Sequence, residues 1–279
     1  MKIKYKINAK RLILLIIMLI LVLFFFQQNH HLVVTNYIYE SERLPCEFDG
    51  YKIVQISDLH NIEFGAKNNA LIAKVKECSP DIVVITGDIV DSTKTNVDIA
   101  INLSKELCKI CPTYYVTGNH EIWLNGTEYE KLLNGLKDNG VNILNNAVYE
   151  TKKEKSSIYV IGLDDRSLTS NAYSKVTQEI NEDTFKILLA HEPQYLKFYS
   201  DKSVDLVISG HTHGGQIRLP KFGGLIAPDQ EGFFPKYTKG EYTDKKTTMI
   251  VSGGLGNSVV PIRLFNYPEI VCTKLQSKN

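Results

Sequence analysis

The chain has 279 residues, with 32 Lys and Arg set against 31 Asp and Glu. That length suits one sizeable α/β core, and the balanced charge excludes a global basic field of the kind that selects nucleic acid. Basic charge is local instead: Lys2, Lys4, Lys6, Lys10 and Arg11 precede an apolar run from Leu12 to Phe26, closed by Gln27, Gln28, Asn29 and His30.

A cleaved signal peptide should show small residues after its apolar centre, whereas this run ends in three Phe. A core helix is seldom apolar on every face beside a basic cluster. A transmembrane signal anchor fits better, although fifteen residues at 1.5 Å each cover only about 22 Å of a hydrocarbon core near 30 Å. Snorkelling by Lys10 and Arg11, or local thinning, is expected to cover the difference. The positive-inside rule then leaves residues 1–11 in the cytoplasm and sends everything after His30 to the outer side of a single-pass protein. The expected organisation is a basic tail and anchor over 1–30, a connecting segment over 31–45 and one folded domain over 46–279.

Beyond Leu44, Pro45 and Gly50 the pattern alternates. Tyr51 to Ser57 reads as a strand, Leu71, Ile72 and Val75 as a helical face, and Asp81 to Thr86 as a β-branched strand. Residues 97–111 form an amphipathic pattern, Thr113 to Thr117 another strand, and Tyr129, Leu132, Leu133 and Leu136 a helix stopped by Asn139 and Gly140. The second half is richer in strands: Ile158 to Leu163, Phe185 to Ala190, Val204 to Ser209, Thr248 to Ser252 and Glu269 to Thr273, with possible helices over 172–180 and 193–200. Alternation first and strands later predict an α/β fold with a largely parallel sheet and a second sheet packed on it.

The cysteines, Cys46, Cys78, Cys108, Cys111 and Cys272, are five, so at least one is unpaired within the chain. Cys108 and Cys111 form a lone CxxC on the 97–111 helix. Its position beside apolar stripes favours packing over a zinc or redox site.

Polar residues follow the strands with regularity. Asp58 and His60 follow the first as SDLH, Asp88 and Asp91 the second as GDIVD, and Asn119 and His120 the third as GNHE. His191 follows Phe185 to Ala190, and His211 and His213 follow Val204 to Ser209 as GHTHGGQ. Strand carboxyl ends are where crevices open in α/β sheets, and imidazole with carboxylate marks a metal site. Five of the seven histidines sit in these segments, which a random surface distribution does not explain. Gly87, Gly118 and Gly210 each precede one of these polar residues, where a turn needs φ above zero or close backbone approach.

These segments resemble the calcineurin-like metallophosphoesterase family, whose pattern is DxH, GDxxD, GNH(D/E), a lone His and GHxH. All five occur in order. SDLH, GHTHGGQIRLP and GGLGNSVVPIRLFNYPEI are further similar to membrane-associated bacterial phosphodiesterases, including UDP-diacylglucosamine hydrolases, from about Leu44 to Leu275. The resemblance implies two packed β-sheets flanked by helices, a four-layer sandwich, and a binuclear centre of divalent Mn, Fe or Zn. Asp58, His60 and His213 would hold one ion, Asn119, His191 and His211 the other, and Asp88 both. Two ions about 3.5 to 4 Å apart bind phosphate oxygens and activate a bridging water for in-line attack. His120 would protonate the leaving oxygen, with Asp91 orienting it or keeping it charged, unless Asp91 only caps the following turn. Glu121 is expected to support its loop.

The expected substrate is a phosphodiester or pyrophosphate, lipid-linked or of a nucleotide-sugar, met at the membrane. A phosphomonoesterase or phosphoprotein phosphatase is the alternative enzyme, but Ser92 and Thr93 stand where protein phosphatases continue GDxxD with Arg-Gly. A non-catalytic binding protein on this fold would have lost ligands, and none is missing. Phe222, Leu225, Ile226, Phe233 and Phe234, among Gly223, Gly224, Pro228, Gly232 and Pro235, suggest a mobile apolar loop beside the metals, or ordinary packing.

Overall fold

The computed structural model describes residues 8–165, 169–227, 233–257 and 262–278. Lys2, Lys4, Lys6, Pro228 and Gly232 lie outside them. In chain order, helix α1 (Ala9–His30) leads into strand β1 (Val33–Ser41), then β2 (Lys52–Ile56), α2 (Asn69–Cys78), β3 (Ile82–Thr86), α3 (Val97–Cys108), β4 (Thr113–Val116) and α4 (Asn119–Ile122). Next come α5 (Gly126–Asp138), β5 (Asn142–Ile143), β6 (Ala147–Lys153), β7 (Ser156–Gly162), α6 (Ser170–Thr177), β8 (Lys186–Leu189), α7 (Leu196–Asp201) and β9 (Leu206–Ser209). The chain closes with β10 (Arg218–Leu219), β11 (Gly223–Gly224), β12 (Gly240–Asp244), β13 (Thr247–Val251) and β14 (Glu269–Ser277).

Two six-stranded sheets result, ordered β1-β14-β2-β3-β4-β5 and β12-β13-β9-β8-β7-β6, with β10 and β11 as a small separate hairpin. In the first, only β14 against β2 is antiparallel; in the second, the two edge pairs β12·β13 and β6·β7 are. Period-two alternation sorts each central strand between two cores. Val83 and Ile85 of β3 face α2, α3 and α5, meeting Leu71, Leu103, Leu107 and Leu132. Ile82 and Val84 turn the other way, toward Ile187, Leu189, Leu206 and Ile208 of the second sheet. Leu188 and Val207 then face Tyr173, Leu196 and Tyr199 of α6 and α7. Three cores between four layers are the sandwich that the sequence led us to expect.

Local signals set the helix ends. The Asn125 side chain accepts from the Glu128 N–H at the start of α5, and Gly140 at φ 88° follows its end. Cys108 and Cys111 pack half-buried against the helix-side core, and all five cysteines are free thiols.

Two expectations about the N-terminal region change. Residues 31–45 are more than a connection, because β1 pairs in parallel with β14 along its whole length, Val33 opposite Glu269 through Ser41 opposite Ser277. Its alternation was hidden by the apolar run just before it. The helix also runs beyond the fifteen-residue apolar core at both ends: α1 has 22 residues, about 33 Å at 1.5 Å each, with Lys10 and Arg11 at one end and Gln27 to His30 at the other. Among the described residues it is the one helix long and apolar enough to cross a membrane, with mean hydropathy 2.7 over a fully exposed window.

The last turn of α1 is fastened to the domain. Asn29 Oδ1 accepts from the Arg263 N–H at 2.9 Å and from Asn257 Nδ2 at 3.1 Å, while Gln28 Oε1 accepts from the Phe265 N–H at 2.6 Å. Gln28 Nε2 donates to the Tyr267 hydroxyl, and Phe24 meets Phe265 edge to face at 6.1 Å. Removing a partner from part-buried hydrogen bonds costs about 1–3 kcal/mol. Asn29→Ala combined with Gln28→Ala should therefore speed amide exchange at Arg263 and Phe265 by about tenfold or more, leaving the β3 amides unchanged. Unaltered exchange at those two residues would show that the helix end is not held there.

Candidate metal centre

The carboxyl ends of β2, β3 and β4 in one sheet and of β8 and β9 in the other meet at a single edge. Gln55 bridges them, its Nε2 donating at 2.8 Å to both Thr86 Oγ1 and the Ser209 carbonyl of the opposite sheet. The Asp58 N–H donates to the Gly87 carbonyl and the Gly210 N–H to the His191 carbonyl, so the loops continue the sheets' hydrogen bonding into the site.

Two groups of ligand atoms form there, each within 4.8 Å: Asp58, His60, Asp88 and His213, and Asp88, His191 and His211. Asp88 belongs to both. Its Oδ2 lies 3.6 Å from His60 Nε2 and 3.3 Å from His191 Nε2. Asn119 joins the second group, its Oδ1 3.0 Å from both His191 Nε2 and His211 Nδ1. Asp58 Oδ1 stands 3.7 Å from His213 Nε2. All seven residues are buried.

The donor set fits metal. His60 Nε2 and His213 Nε2 approach to 3.2 Å, as do His191 Nε2 and His211 Nδ1. Ligands about 2.0–2.1 Å from a shared tetrahedral ion stand roughly 3.3 Å apart. Second contacts fix the tautomers: His191 Nδ1 donates to the Thr86 carbonyl at 2.7 Å and His213 Nδ1 to the Gly256 carbonyl at 3.3 Å, leaving each Nε2 a lone pair for an ion. Burial lowers His60 to about 4 and His211 to about 3, and takes His213 well below the ordinary imidazole range, so these rings stay neutral and ligating. Burial would lower His191 too, but Asp88 and Asp58 outweigh it and raise it. Burial raises Asp58 to about 6, with Asp88 adding to the rise, a repulsion that cations relieve.

The backbone is bent to make this cluster. Asp58, His60, Asp88, His211 and His213 all have φ between 46° and 73°, the left-handed region that side chains with a Cβ rarely occupy. Of the three expected glycines, Gly87 has φ 85°, whereas Gly210 serves close approach: a Cβ there would overlap Ser57 Oγ and lie 2.5 Å from Asp58 Oδ2.

Glu121 holds the loops. Its Oε1 accepts from the Ile89 and Val90 N–H groups and its Oε2 from those of Asp88 and Gly118. Burial pushes this carboxyl up to about 8, with Asp88 adding to it, while the Gly118 and Asp88 donors pull it down. His120 lies beside the first group, edge-on to His60 at 4.5 Å and 5.0 Å from the exposed Trp123 ring. Its Nδ1 accepts from the Ser92 N–H at 3.2 Å, with Ser92 Oγ at 3.1 Å. Asp91 does not make that contact. Its carboxylate accepts from the Thr93 N–H and hydroxyl and the Lys94 N–H, the turn-capping geometry that the sequence left open.

Ser92 was thus missed, and so was Arg263. Fully buried, Arg263 donates to the Gly253 and Gly256 carbonyls, and burial lowers its pKa to about 10. An arginine between Ile262 and Leu264 was the available signal. In the expected apolar loop, Phe222, Phe233 and Phe234 are exposed, while Leu225 is tied by its N–H to the Gly215 and Ile217 carbonyls, against the last metal turn.

Shared and unshared ligands predict different metal contents. His60→Ala and His191→Ala should each lose about one ion per chain while Asp88→Ala loses affinity at both positions, the usual effect of a ligand or its support being 10–100-fold or more. Elemental analysis after gel filtration reads this directly, and an Asp88→Ala protein retaining both ions would remove Asp88 from its shared position.

The family described as Calcineurin-like phosphoesterase matches residues 51–215. An uncharacterized metallophosphoesterase of Bacillus subtilis, YkuE, is 34% identical over 255 residues, covering 88% of this chain and 86% of that protein. One from Aquifex aeolicus is 32% identical, covering 88% and 93%. A Danio rerio transmembrane protein with metallophosphoesterase domain is 30% identical, covering 82% of this chain and 54% of that longer protein. With its metal-ligand cluster, its two sheets and these relatives, the chain belongs to the calcineurin-like phosphoesterase family and is a metal-dependent phosphoesterase.

Proposed function

We propose that this enzyme hydrolyses a lipid-linked phosphodiester or pyrophosphate at the membrane surface, on the outer side of a membrane crossed once by α1. The observation that carries the reading is the short path from anchor to metal centre. Asn29, at the end of α1, accepts from the Arg263 N–H; the Arg263 guanidinium donates to the Gly256 carbonyl, and that same carbonyl accepts from the ring of His213. A centre fixed to the end of a membrane helix meets bilayer-embedded esters at high effective concentration and gains little for soluble metabolites. Lys10 and Arg11 at the other end of α1 support the outward orientation.

Asp58, His60 and His213 would hold one divalent ion, Asn119, His191 and His211 the other, and Asp88 would serve both. Such ions, when bound, would supply Lewis-acid stabilisation of the phosphoryl oxygens and a nucleophile near neutral pH. The chain does the rest. Asn119 ligates without adding negative charge where an anionic phosphate must arrive. The Ser92 N–H occupies Nδ1 of His120, so the ring carries its proton on Nε2. From there His120 donates a hydrogen bond to the leaving oxygen as the P–O bond breaks and negative charge builds on it, and the proton that oxygen finally takes comes from solvent. Asp91 contributes by capping the turn that presents Ser92, a positioning role rather than a direct contact.

His120→Ala should retain both metals and lose roughly 10² to 10⁴ in kcat, the usual scale for losing a group that stabilises the departing oxygen, and lose less with leaving groups that need no such help. Metal loss in that variant would show that the ring ligates instead. On substrate, the full chain in lipid bilayers should turn over an acylated phosphodiester such as UDP-diacylglucosamine faster than its deacylated counterpart. Equal turnover would end the lipid reading. For orientation, protease added to intact cells with any outer layer breached should digest the domain, and protection until the membrane is opened would reverse it.

A further inference from the structure

A cleft of about 440 Å³ lies between the end of α1 and the domain. Phe25, Phe26 and His30 of the helix line it together with Ile62 and Ile262 of the domain, and Asn29 and Asn257, hydrogen-bonded to each other, are its amide residues. Three features bear on its occupant. Phe25 and Phe26 are the last apolar residues of the anchor before Gln27 and Gln28, so the helix side of the cleft stands at the boundary of the hydrocarbon layer. The domain side adjoins the metals. Ile62 follows His60 by two residues, and Asn257 follows Gly256, whose N–H donates to the Asp58 carbonyl and whose carbonyl accepts from His213. Asn257 donates from Nδ2 to Asn29, while its buried Oδ1 has no hydrogen-bond partner among the described residues.

We propose that this cleft is a substrate-binding site that receives one hydrocarbon chain of a lipid phosphoester, resting on the lipid reading above. The chain enters from the bilayer beside Phe25 and Phe26 and lies between Ile62 and Ile262. A hydroxyl or amide N–H near the lipid's polar junction donates to Asn257 Oδ1. The phosphate is then carried toward the Asp58, His60 and His213 group without the tail leaving an apolar environment. The site has a physical advantage over extraction into water, where each CH₂ exposed costs about 0.8 kcal/mol. Half of the cleft is supplied by the anchor itself, so α1 is part of the substrate site as well as a tether.

The test uses the full chain in nanodiscs, with phosphodiesters of one headgroup and of short or long chain, and a small chromogenic phosphodiester as control. The parent should favour the long chain. Ile262→Trp, which fills the cleft, should raise KM for the long-chain ester about tenfold, the loss of roughly two buried CH₂ groups, while leaving the chromogenic rate unchanged. Ile62→Phe is a second, smaller filling change if the first does not fold. A non-hydrolysable long-chain analogue bearing a diazirine in its tail should label peptides containing Phe25, Phe26 or Ile262 in the parent and lose that labelling in Ile262→Trp. Long-chain preference that survives both substitutions, with labelling elsewhere, overturns the cleft and leaves the lipid reading standing. A parent indifferent to chain length removes the lipid reading and the cleft with it.

Discussion

The metal edge depends on one buried carboxylate that touches no ligand atom of its own. Glu121 accepts four backbone N–H groups, three from the Asp88–Val90 turn and one from Gly118. Two loops from neighbouring strands are thereby fixed to a common point, and Asp88 and Asn119, which those loops carry, acquire their separation. Asp88 Oδ1 then accepts the His120 N–H at 2.8 Å, leaving Oδ2 between the two histidine groups. The backbone donors favour the charged carboxylate and offset part of the rise that burial imposes on Glu121, while their fixed directions set the spacing of the two loops. Strain at five ligand residues with φ above zero is the other side of this arrangement. Such conformations persist where surrounding bonds over-determine them, and here the surrounding bonds are those of Glu121, Gln55 and the sheet-like loop contacts.

Much of this was legible in the sequence because the chemistry permits few substitutes. Asp, His and Asn at the ends of strands announce themselves whatever the surrounding fold, and the β-branched run Ile82 to Ile85 needs no neighbours to be read as a central strand. Edge elements were not legible. β6 is mostly exposed, and β12 alternates only between half-buried and exposed residues of modest hydrophobicity, so neither carries the buried apolar alternation by which a strand is read. β1 was masked by the apolar run before it, and its place is decided by a partner more than two hundred residues away. Supporting residues were also hidden. Ser92 acts through a backbone N–H that any residue except proline could supply, and Arg263 acts on carbonyls of its own loop. Neither role leaves a pattern in spacing or periodicity. For Asp91 the sequence left two roles open, a partner of His120 or a turn cap, and the hydrogen bonds from Thr93 and Lys94 are those of the cap.

The stretches 253–257 and 262–267 join parts that would otherwise be independent. At one end the Leu255 and Gly256 N–H groups bond to the Ser57 and Asp58 carbonyls; at the other, Asn266 Nδ2 donates to the His213 carbonyl at 2.7 Å and Tyr267 meets Gln28 and His31. Arg263 sits between, and its charge is tolerated because three guanidinium contacts go to carbonyl oxygens and because Asp58 and Glu269 offset the cost of burial. The helix end, these stretches and the first metal group therefore share one hydrogen-bonded network.

The last strand occupies an interior place. β14 lies between β1 and β2, parallel to one and antiparallel to the other, so the first sheet stays divided until the C-terminal residues are available. On a ribosome, β1 leaves the tunnel early and then waits through more than two hundred residues of synthesis with both edges unpaired. Closure of that gap is a contact of very long sequence separation, the kind that slows folding and exposes strand edges to wrong partners. Under the proposed insertion of α1 in a membrane, the diffusion of that waiting strand is restricted to a plane, which lowers the number of places where its eventual partner must find it.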